Sequence, residues 1–340
     1  MTDSLSFKAT GFLLVLLFTS CNLEPQTYVK NTSSGGALGT SYNIIYLTPN
    51  EIDLQQQIDS IFRVMNNSLS TYIPSSDISR INQGSLEIEV DHMFQEVFAL
   101  SKEIHINTNG YFDPTVGALV NAWGFGPGRK IDMDSVRVDS IMSFVGFNKV
   151  QLNEKNQVLK DVPNIYLDFN AIAKGYAIDR LANLMGNMMI EDYLLEVGGE
   201  LVGKGINQIK KKPWVVGIDD PQIEQGRSLK ILMELKDKAL ASSGNYRKFR
   251  IDSVSGKKYV HTIDPKTGFT KNASTLGVTI IANDCARADA YATAFMAMDV
   301  IEAKTILSKD SEIEGYIIYL DELGVTQEFM TDGFKSLVLD

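Results

Sequence analysis

The segment that most constrains the fold lies late in the chain, where a strand-like stretch runs into a helix of small apolar residues. Residues 275–282 (TLGVTIIA) predict a strand, and residues 288–299 (ADAYATAFMAMD) predict a helix rich in Ala and Met. Asp289 and Thr293 are four residues apart and share one helix face. Their carboxylate and hydroxyl suit a hard cation such as Mg²⁺. Taken alone, the pair also fits an ordinary helix, with Asp289 in solvent and Thr293 in packing.

The charge balance argues against nucleic acid as a partner. The 340 residues include 32 Lys and Arg and 42 Asp and Glu, a net charge of −10, and the longest basic run is 210–212. Nucleic acid binding requires a concentrated positive surface, which this chain lacks. A phosphorylated ligand would therefore be held by a metal, a local lysine or backbone amides.

The N-terminus has the pattern of an export signal. Residues 1–20 are predicted to be a lipoprotein signal peptide, because the apolar run 11–18 is too short to span a bilayer. The residues before Cys21 resemble a bacterial lipobox, with Phe18 in place of the usual Leu, so Cys21 is the predicted lipidation site. A soluble signal peptide with a chance cysteine is the alternative. Residues 21–36 then predict a polar, lipid-anchored tether, and 37–340 the folded domain.

Several elements of the folded domain can be predicted locally. Asp91 is a plausible N-cap of an amphipathic helix, and Ile165–Phe169 predicts a strand followed by a helix from Ile172 to about Met189. The second half predicts mostly strands. Residues 198–204 have the spacing GxxxxGK, but Gly205 stands where a nucleotide-binding loop needs Ser or Thr, so we reject that interpretation.

Eight short motifs occur in the order seen in one known family. They are GTSYNI at 39–44, STYIPSSDISRIN at 70–82, GYFDPTVGALVNAWGFG at 110–126, DFNAIAKGYAID at 168–179, EVGGEL at 196–201, SSGNYR at 242–247, HTIDPKTG at 261–268 and ADAYAT at 288–293. The chain thus resembles the ApbE family, the FAD:protein FMN transferases. The resemblance implies an α+β fold with T-fold-like mixed, largely antiparallel sheets and flanking helices.

The resemblance also implies a metal site. In this family Mg²⁺ bridges the FAD diphosphate, and the matching ligands here are Asp289, Thr293 and the backbone carbonyl of Ala171. Asn170 departs from the glycine usual at its position. Lys174 would serve the same phosphate charge, with an ordinary helix lysine as the alternative.

The remaining implied residues surround the cofactor. His261 would take the proton of an incoming hydroxyl and contact the cofactor, or would instead fix the Asp264 turn. The other residues are given flavin-binding or adenosine-binding roles by resemblance: Leu38, Gly39, Thr40, Tyr72 by stacking, Asp113 through a polar edge of the cofactor, and Gly244 by close backbone approach.

The implied activity is Mg²⁺-dependent transfer of FMN from FAD to a Thr or Ser hydroxyl of a partner protein, with release of AMP. The expected partner is a flavin-acceptor subunit of a membrane redox complex or another exported flavoprotein. The expected location is the bacterial cell envelope, lipid-anchored and facing the periplasm. Hydrolysis of FAD to FMN and AMP, or flavin binding without catalysis, are the alternatives.

The lipid anchor can be tested directly. Replacing Cys21 by Ser removes the thiol that would carry the lipid, so the Cys21→Ser protein should move from the membrane to the soluble exported fraction. Fractionation after a salt wash, followed by immunoblotting, measures this. Retention of the variant on membranes would contradict the anchor.

Overall fold

The computed structural model describes residues 27–223, 228–244, 249–251, 258–260, 262–271 and 274–339. The strands within these ranges are β1 (Val29–Ala37), β2 (Thr40–Thr48), β3 (Val150–Leu152), β4 (Val158–Lys160), β5 (Asp192–Val197), β6 (Glu200–Lys204), β7 (Trp214–Asp219), β8 (Leu229–Leu235), β9 (Lys238–Gly244), β10 (Phe249–Ile251), β11 (Lys258–Val260), β12 (Thr275–Ala282), β13 (Glu314–Leu320) and β14 (Thr326–Met330). The helices are α1 (Gln55–Leu69), α2 (Asp77–Asn82), α3 (His92–Asn107), α4 (Gly117–Trp123), α5 (Ser135–Met142), α6 (Asn170–Asn187), α7 (Cys285–Ala297), α8 (Val300–Leu307) and α9 (Asp332–Lys335).

An eight-stranded sheet organises the described chain. Its strand order is β1-β2-β5-β6-β9-β12-β13-β14, and all neighbouring strands are antiparallel. Three hairpins, β3–β4, β7–β8 and β10–β11, stand outside it. The predicted α+β class with largely antiparallel sheets and flanking helices is confirmed.

Different layers cover the two faces of the sheet. Successive side chains of a strand point to opposite faces, so neighbouring residues show what packs on each face. On β12, Ile280 belongs to the main core, which the sheet shares with α1, α3, α6 and α7. Its neighbour Ile281 belongs to a smaller core that includes residues of β7, β8 and α9. Helices α1, α3, α6 and α7 therefore lie on one side of the sheet, and the β7–β8 pair and α9 lie on the other.

Helix α7 runs through the protein interior. Eleven of its 13 residues are buried, as expected for a helix that is apolar on all sides. It packs very closely on α6, since a Cβ atom added to Gly175 would lie 2.3 Å from the backbone oxygen of Cys285. Asp289 is 3% exposed, so the alternative of a solvated helix residue is wrong.

Two predictions about local structure need correction. The sequence predicts a tether over residues 29–36, but Val29–Ala37 is strand β1, paired along its whole length with β2. Strand β1 lies at the edge of the sheet, where little side-chain burial is required. Its sequence is therefore polar and contains glycines, and it lacks the apolar pattern that predicts a strand. Ile165–Phe169 is not a strand: its one ladder contact is an isolated bridge between Tyr166 and Val116.

Other local predictions agree with the structure. The Asp91 side chain caps α3 by accepting a hydrogen bond from the Phe94 amide at 2.9 Å. Residues 198–204 form the β5–β6 turn and β6, and no helix follows the glycines as a nucleotide-binding loop requires. Across the described ranges, no helix is both long and apolar enough to cross a membrane.

The α6–α7 contact leads to a stability prediction with an internal control. Gly175→Ala should lower the free energy of unfolding by about 1–3 kcal/mol, because the added methyl meets rigid backbone. Gly186→Ala in the same helix meets nothing within 4 Å and should be neutral or stabilising, by up to about 1 kcal/mol. Chemical denaturation of both variants measures the difference. Equal stabilities would contradict the close packing.

Candidate active site

The start of α7 is held by two carboxylates. Asp284 is its N-cap and accepts a hydrogen bond from the Arg287 amide at 2.9 Å. Asp179 of α6 accepts hydrogen bonds from the amides of Cys285 and Ala286, both at 2.8 Å. Burial raises the pKa of Asp179 to about 7, although these two amides oppose the rise. Asp179 therefore attaches the first turn of α7 to α6.

Asp289 lies one turn further along α7 and faces α6. Its Oδ2 accepts a hydrogen bond from the Gly175 amide at 3.1 Å, and its Oδ1 is 3.7 Å from the Lys174 ammonium. In a regular α-helix the Gly175 amide points at the carbonyl of Ala171, four residues earlier. The Gly175 amide therefore holds Asp289 against α6, the helix that also contains the predicted ligand Ala171.

Lys174 joins Asp289 to a second carboxylate, that of Glu200. The Lys174 ammonium forms a close ion pair with Glu200 Oε1, and Glu200 is 3% exposed. Burial raises the pKa of Glu200 to about 7 and also raises the pKa of Asp289. Burial lowers the pKa of Lys174, but attraction to Asp289 and Glu200 outweighs it, so the net change is upward. Two carboxylates thus face one ammonium, which leaves an excess of negative charge in a buried site.

Thr293, the other predicted side-chain ligand, follows Asp289 by one helical turn. Its Oγ1 is 3.4 Å from Oγ of Ser243, near the end of β9. The next residue, Gly244, is opposite Gly277 in the β9–β12 pair. Close approach of a ligand to the Gly244 backbone stays a prediction.

The predicted flavin loop 38–40 is the turn between β1 and β2. Leu38 and Gly39 have φ values of 51° and 74°, which suit a tight hairpin turn. Thr40 lies against the β5–β6 turn, since a Cβ atom on Gly198 would be 2.8 Å from Thr40 Cγ2. The same atom would be 3.3 Å from Lys174 Cδ. The loop therefore lies beside the Lys174 cluster.

Tyr72 lies on a loop attached to the start of α6. Its side chain is 59% exposed and is available for stacking. The preceding residue, Thr71, accepts a hydrogen bond from the Asn170 side-chain amide at 3.2 Å. Asn170, where the family usually has Gly, thus connects the Tyr72 loop to α6. Burial, together with the nearby negative charge of Asp168, raises the pKa of Tyr72.

The Asp113 carboxylate is bound by neighbouring residues of the chain. Its Oδ1 accepts hydrogen bonds from Thr115, its Oδ2 accepts one from the Phe147 amide at 3.0 Å, and the His105 ring lies 3.6 Å from Oδ2. Its side chain is 5% exposed. Both oxygens are thus used within the chain, and contact between Asp113 and a cofactor stays a prediction.

Two predicted residues, His261 and Cys21, lie outside the described residues. The structure adds two carboxylates to the site, Glu200 and Asp179, which the sequence analysis does not predict as site residues. Both lie inside motifs quoted above. Each contacts residues far away in sequence, so no local spacing could have identified them. Their position in the EVGGEL and DFNAIAKGYAID motifs was the available signal.

The residues around Asp289 fit a bound cation. Glu200 Oε2 is buried and lacks a hydrogen-bond partner within the described chain, and such an acceptor usually has a further partner. The excess negative charge of the cluster is also what a cation would compensate. The described residues contain no group of three or more His, Cys, Asp and Glu that could hold a metal. A metal bound beside Asp289 would take few ligands from these side chains, and phosphate oxygens would complete its coordination.

Comparison with known proteins identifies the family. The sequence profile described as the ApbE family matches residues 38–317. The FAD:protein FMN transferase of Vibrio cholerae is 36% identical over 332 residues, covering 95% of this chain and 96% of that protein. The FAD:protein FMN transferase of Haemophilus influenzae is 30% identical over 337 residues, covering 95% of each protein.

Solved structures share the fold. The flavin transferase ApbE from Vibrio cholerae matches with a TM-score of 0.81 at 32% identity, covering 92% of this chain and 100% of that chain. The apo flavinyl transferase ApbE from Pseudomonas stutzeri matches with a TM-score of 0.80 at 26% identity, covering 91% and 97%. The fold is that of a flavin transferase-like α+β protein. The chain belongs to the ApbE family, which confirms the prediction from its motifs.

Proposed function

We propose that this protein is an FAD:protein FMN transferase that requires Mg²⁺. The observation that carries the proposal is the buried cluster of Asp289, Lys174 and Glu200, with Thr293 one turn away and the 38–40 turn beside it. Relatives named for this activity align over nearly the whole chain. FAD, whose diphosphate is the reacting group, is the proposed substrate.

The proposed reaction exchanges one phosphorus–oxygen bond for another. The oxygen of an acceptor Thr or Ser hydroxyl attacks the FMN-side phosphorus of FAD, and the bond from that phosphorus to the bridging oxygen breaks. AMP leaves with the bridging oxygen, and the hydroxyl proton passes to a base, for which His261 is the candidate. The acceptor keeps FMN through a phosphoester bond.

The residues of the cluster have distinct proposed roles. Asp289, Thr293 and the Ala171 carbonyl would hold the metal. When bound, Mg²⁺ stabilises the negative charge that develops on the non-bridging phosphate oxygens. Lys174 stays protonated, because its pKa is raised, and adds a positive charge for the leaving phosphate.

The acceptor and the location are also part of the proposal. A lipid on Cys21 would hold the enzyme at the bacterial envelope surface, where a membrane redox subunit or another exported flavoprotein presents its hydroxyl. Attachment to the same membrane raises the effective concentration of the two proteins and so supports a membrane-bound acceptor.

Loss of the Asp289 charge should disable the enzyme. Asp289→Asn preserves side-chain size and an acceptor for the Gly175 amide, but it removes the one charged side chain of the proposed ligand set. FMN transfer to an acceptor domain, measured by fluorescence of the denatured protein band, should fall roughly 10²-fold or more, about 3 kcal/mol of transition-state stabilisation. The Mg²⁺ concentration for half-maximal rate should rise.

The control for this experiment removes a carboxylate elsewhere. Glu322 is an exposed residue of the β13–β14 turn, and Glu322→Gln should leave both the rate and the Mg²⁺ requirement unchanged. Wild-type transfer by Asp289→Asn at limiting Mg²⁺ would contradict the metal site.

Tyr72 tests whether the enzyme is a transferase or an FAD hydrolase. An aromatic ring beside the flavin would restrict the access of water to the diphosphate, and exclusion of water suppresses hydrolysis. Tyr72→Asn should therefore increase AMP release from FAD in the absence of acceptor, with Mg²⁺ still required. Chromatographic measurement of AMP checks this.

The wild type and Leu323→Asn complete the comparison. Leu323 is 89% exposed in the β13–β14 turn, so its substitution controls for a new surface amide. Both proteins should release little AMP without acceptor. Rapid acceptor-independent release by the wild type, unchanged in Tyr72→Asn, would favour hydrolysis, and no release under any condition would favour a flavin-binding protein.

A further inference from the structure

We propose that Glu200 is a positioning residue of this site: it anchors the Lys174 ammonium and thereby leaves Asp289 free to bind the metal. The inference rests on the proposed Mg²⁺-dependent function and deepens it. It gives a role to the buried Glu200 carboxylate, whose charge also repels that of Asp289.

The contact geometry ranks the two partners of Lys174. The ammonium forms a close ion pair with Glu200 Oε1, whereas Asp289 Oδ1 is 3.7 Å away, beyond hydrogen-bond distance. Glu200 therefore holds the lysine, and Asp289 only attracts it. Among the described residues, the hydrogen-bond donor to Asp289 is the Gly175 amide, and it contacts Oδ2 rather than Oδ1.

Glu200 can act as an anchor because its backbone is well fixed. It is the first residue of β6 and is paired with Val197 across the β5–β6 turn. In that turn the Gly198 amide donates to the Ser41 carbonyl at 2.9 Å, and the Gly199 amide donates to Glu196 Oε1 at 2.7 Å. The Glu200 carboxylate thus comes from the central sheet, whereas Lys174 and Asp289 come from two helices.

The charges explain why the anchor matters. A partly buried ammonium without a partner is unfavourable, so Lys174 deprived of Glu200 would move towards the remaining carboxylate, Asp289. A full ion pair between Lys174 and Asp289 would compete with the metal for the same oxygens. Glu200 prevents this competition and also keeps the lysine charge close to the proposed phosphate position.

The test compares Mg²⁺ binding by variants of the full chain. Mg²⁺ is titrated calorimetrically into protein saturated with FAD, without an acceptor protein. Glu200→Gln should bind Mg²⁺ at least tenfold more weakly than the wild type. The double variant Lys174→Met with Glu200→Gln lacks the competing ammonium and should recover Mg²⁺ affinity relative to Glu200→Gln, a recovery that a merely structural role would not produce.

A matched control lies in the same hairpin. Glu196→Gln removes a carboxylate from β5 but retains an acceptor for the Gly199 amide, so its Mg²⁺ affinity should equal that of the wild type. Thermal unfolding of each variant checks that the fold is intact. Of these two carboxylates, Glu200 forms the ion pair with Lys174. A loss of Mg²⁺ affinity in Glu200→Gln, but not in Glu196→Gln, therefore supports the anchor.

Two results would overturn the inference, and a third would overturn the function beneath it. Wild-type Mg²⁺ affinity in Glu200→Gln would show that Glu200 does not protect Asp289. If Glu200→Gln and the double variant bound Mg²⁺ equally weakly, Lys174 would not be competing with Mg²⁺ for Asp289. No Mg²⁺ binding by the wild type, together with metal-independent FMN transfer, would overturn the proposed metal requirement itself.

Discussion

The close contact between α6 and α7 is the constraint on which the site depends. Gly175 lets the two helices approach until backbone meets backbone, and Asp179 attaches the first turn of α7 to α6. The Gly175 amide then reaches the Asp289 carboxylate across the same contact. A change of a few tenths of an ångström here would move the Gly175 amide away from the Asp289 carboxylate, because packed interiors transmit displacement rather than absorb it.

Burial changes the acid–base properties of the carboxylates at this contact. Asp289 and Glu200 lie in an environment that raises the pKa of both, and Lys174 compensates only part of their charge. Such a cluster is costly to keep inside a protein unless a ligand completes it. The cost is consistent with the proposed site, which binds an anionic substrate through a cation.

The fold could be predicted only in part. The helix that Asp91 caps, the strand before α7 and the spacing of Asp289 and Thr293 follow from local patterns, and the structure agrees with each. Strand β1 cannot be predicted locally, because its polar residues and glycines carry no strand pattern of their own. Its pairing with β2 is decided by the neighbouring strand, and a local pattern does not contain that information.

Eight motifs in order identify the family without a structure, and their spacing puts Asp289 and Thr293 on one helix face, because a helical period is a local property. The packed structure buries Asp289 and pairs Lys174 with Glu200, which follows it by 26 residues. It also decided that Asp113 uses both carboxylate oxygens within the chain. These are non-local contacts, and their partners are chosen by how α6, α7 and the sheet pack together.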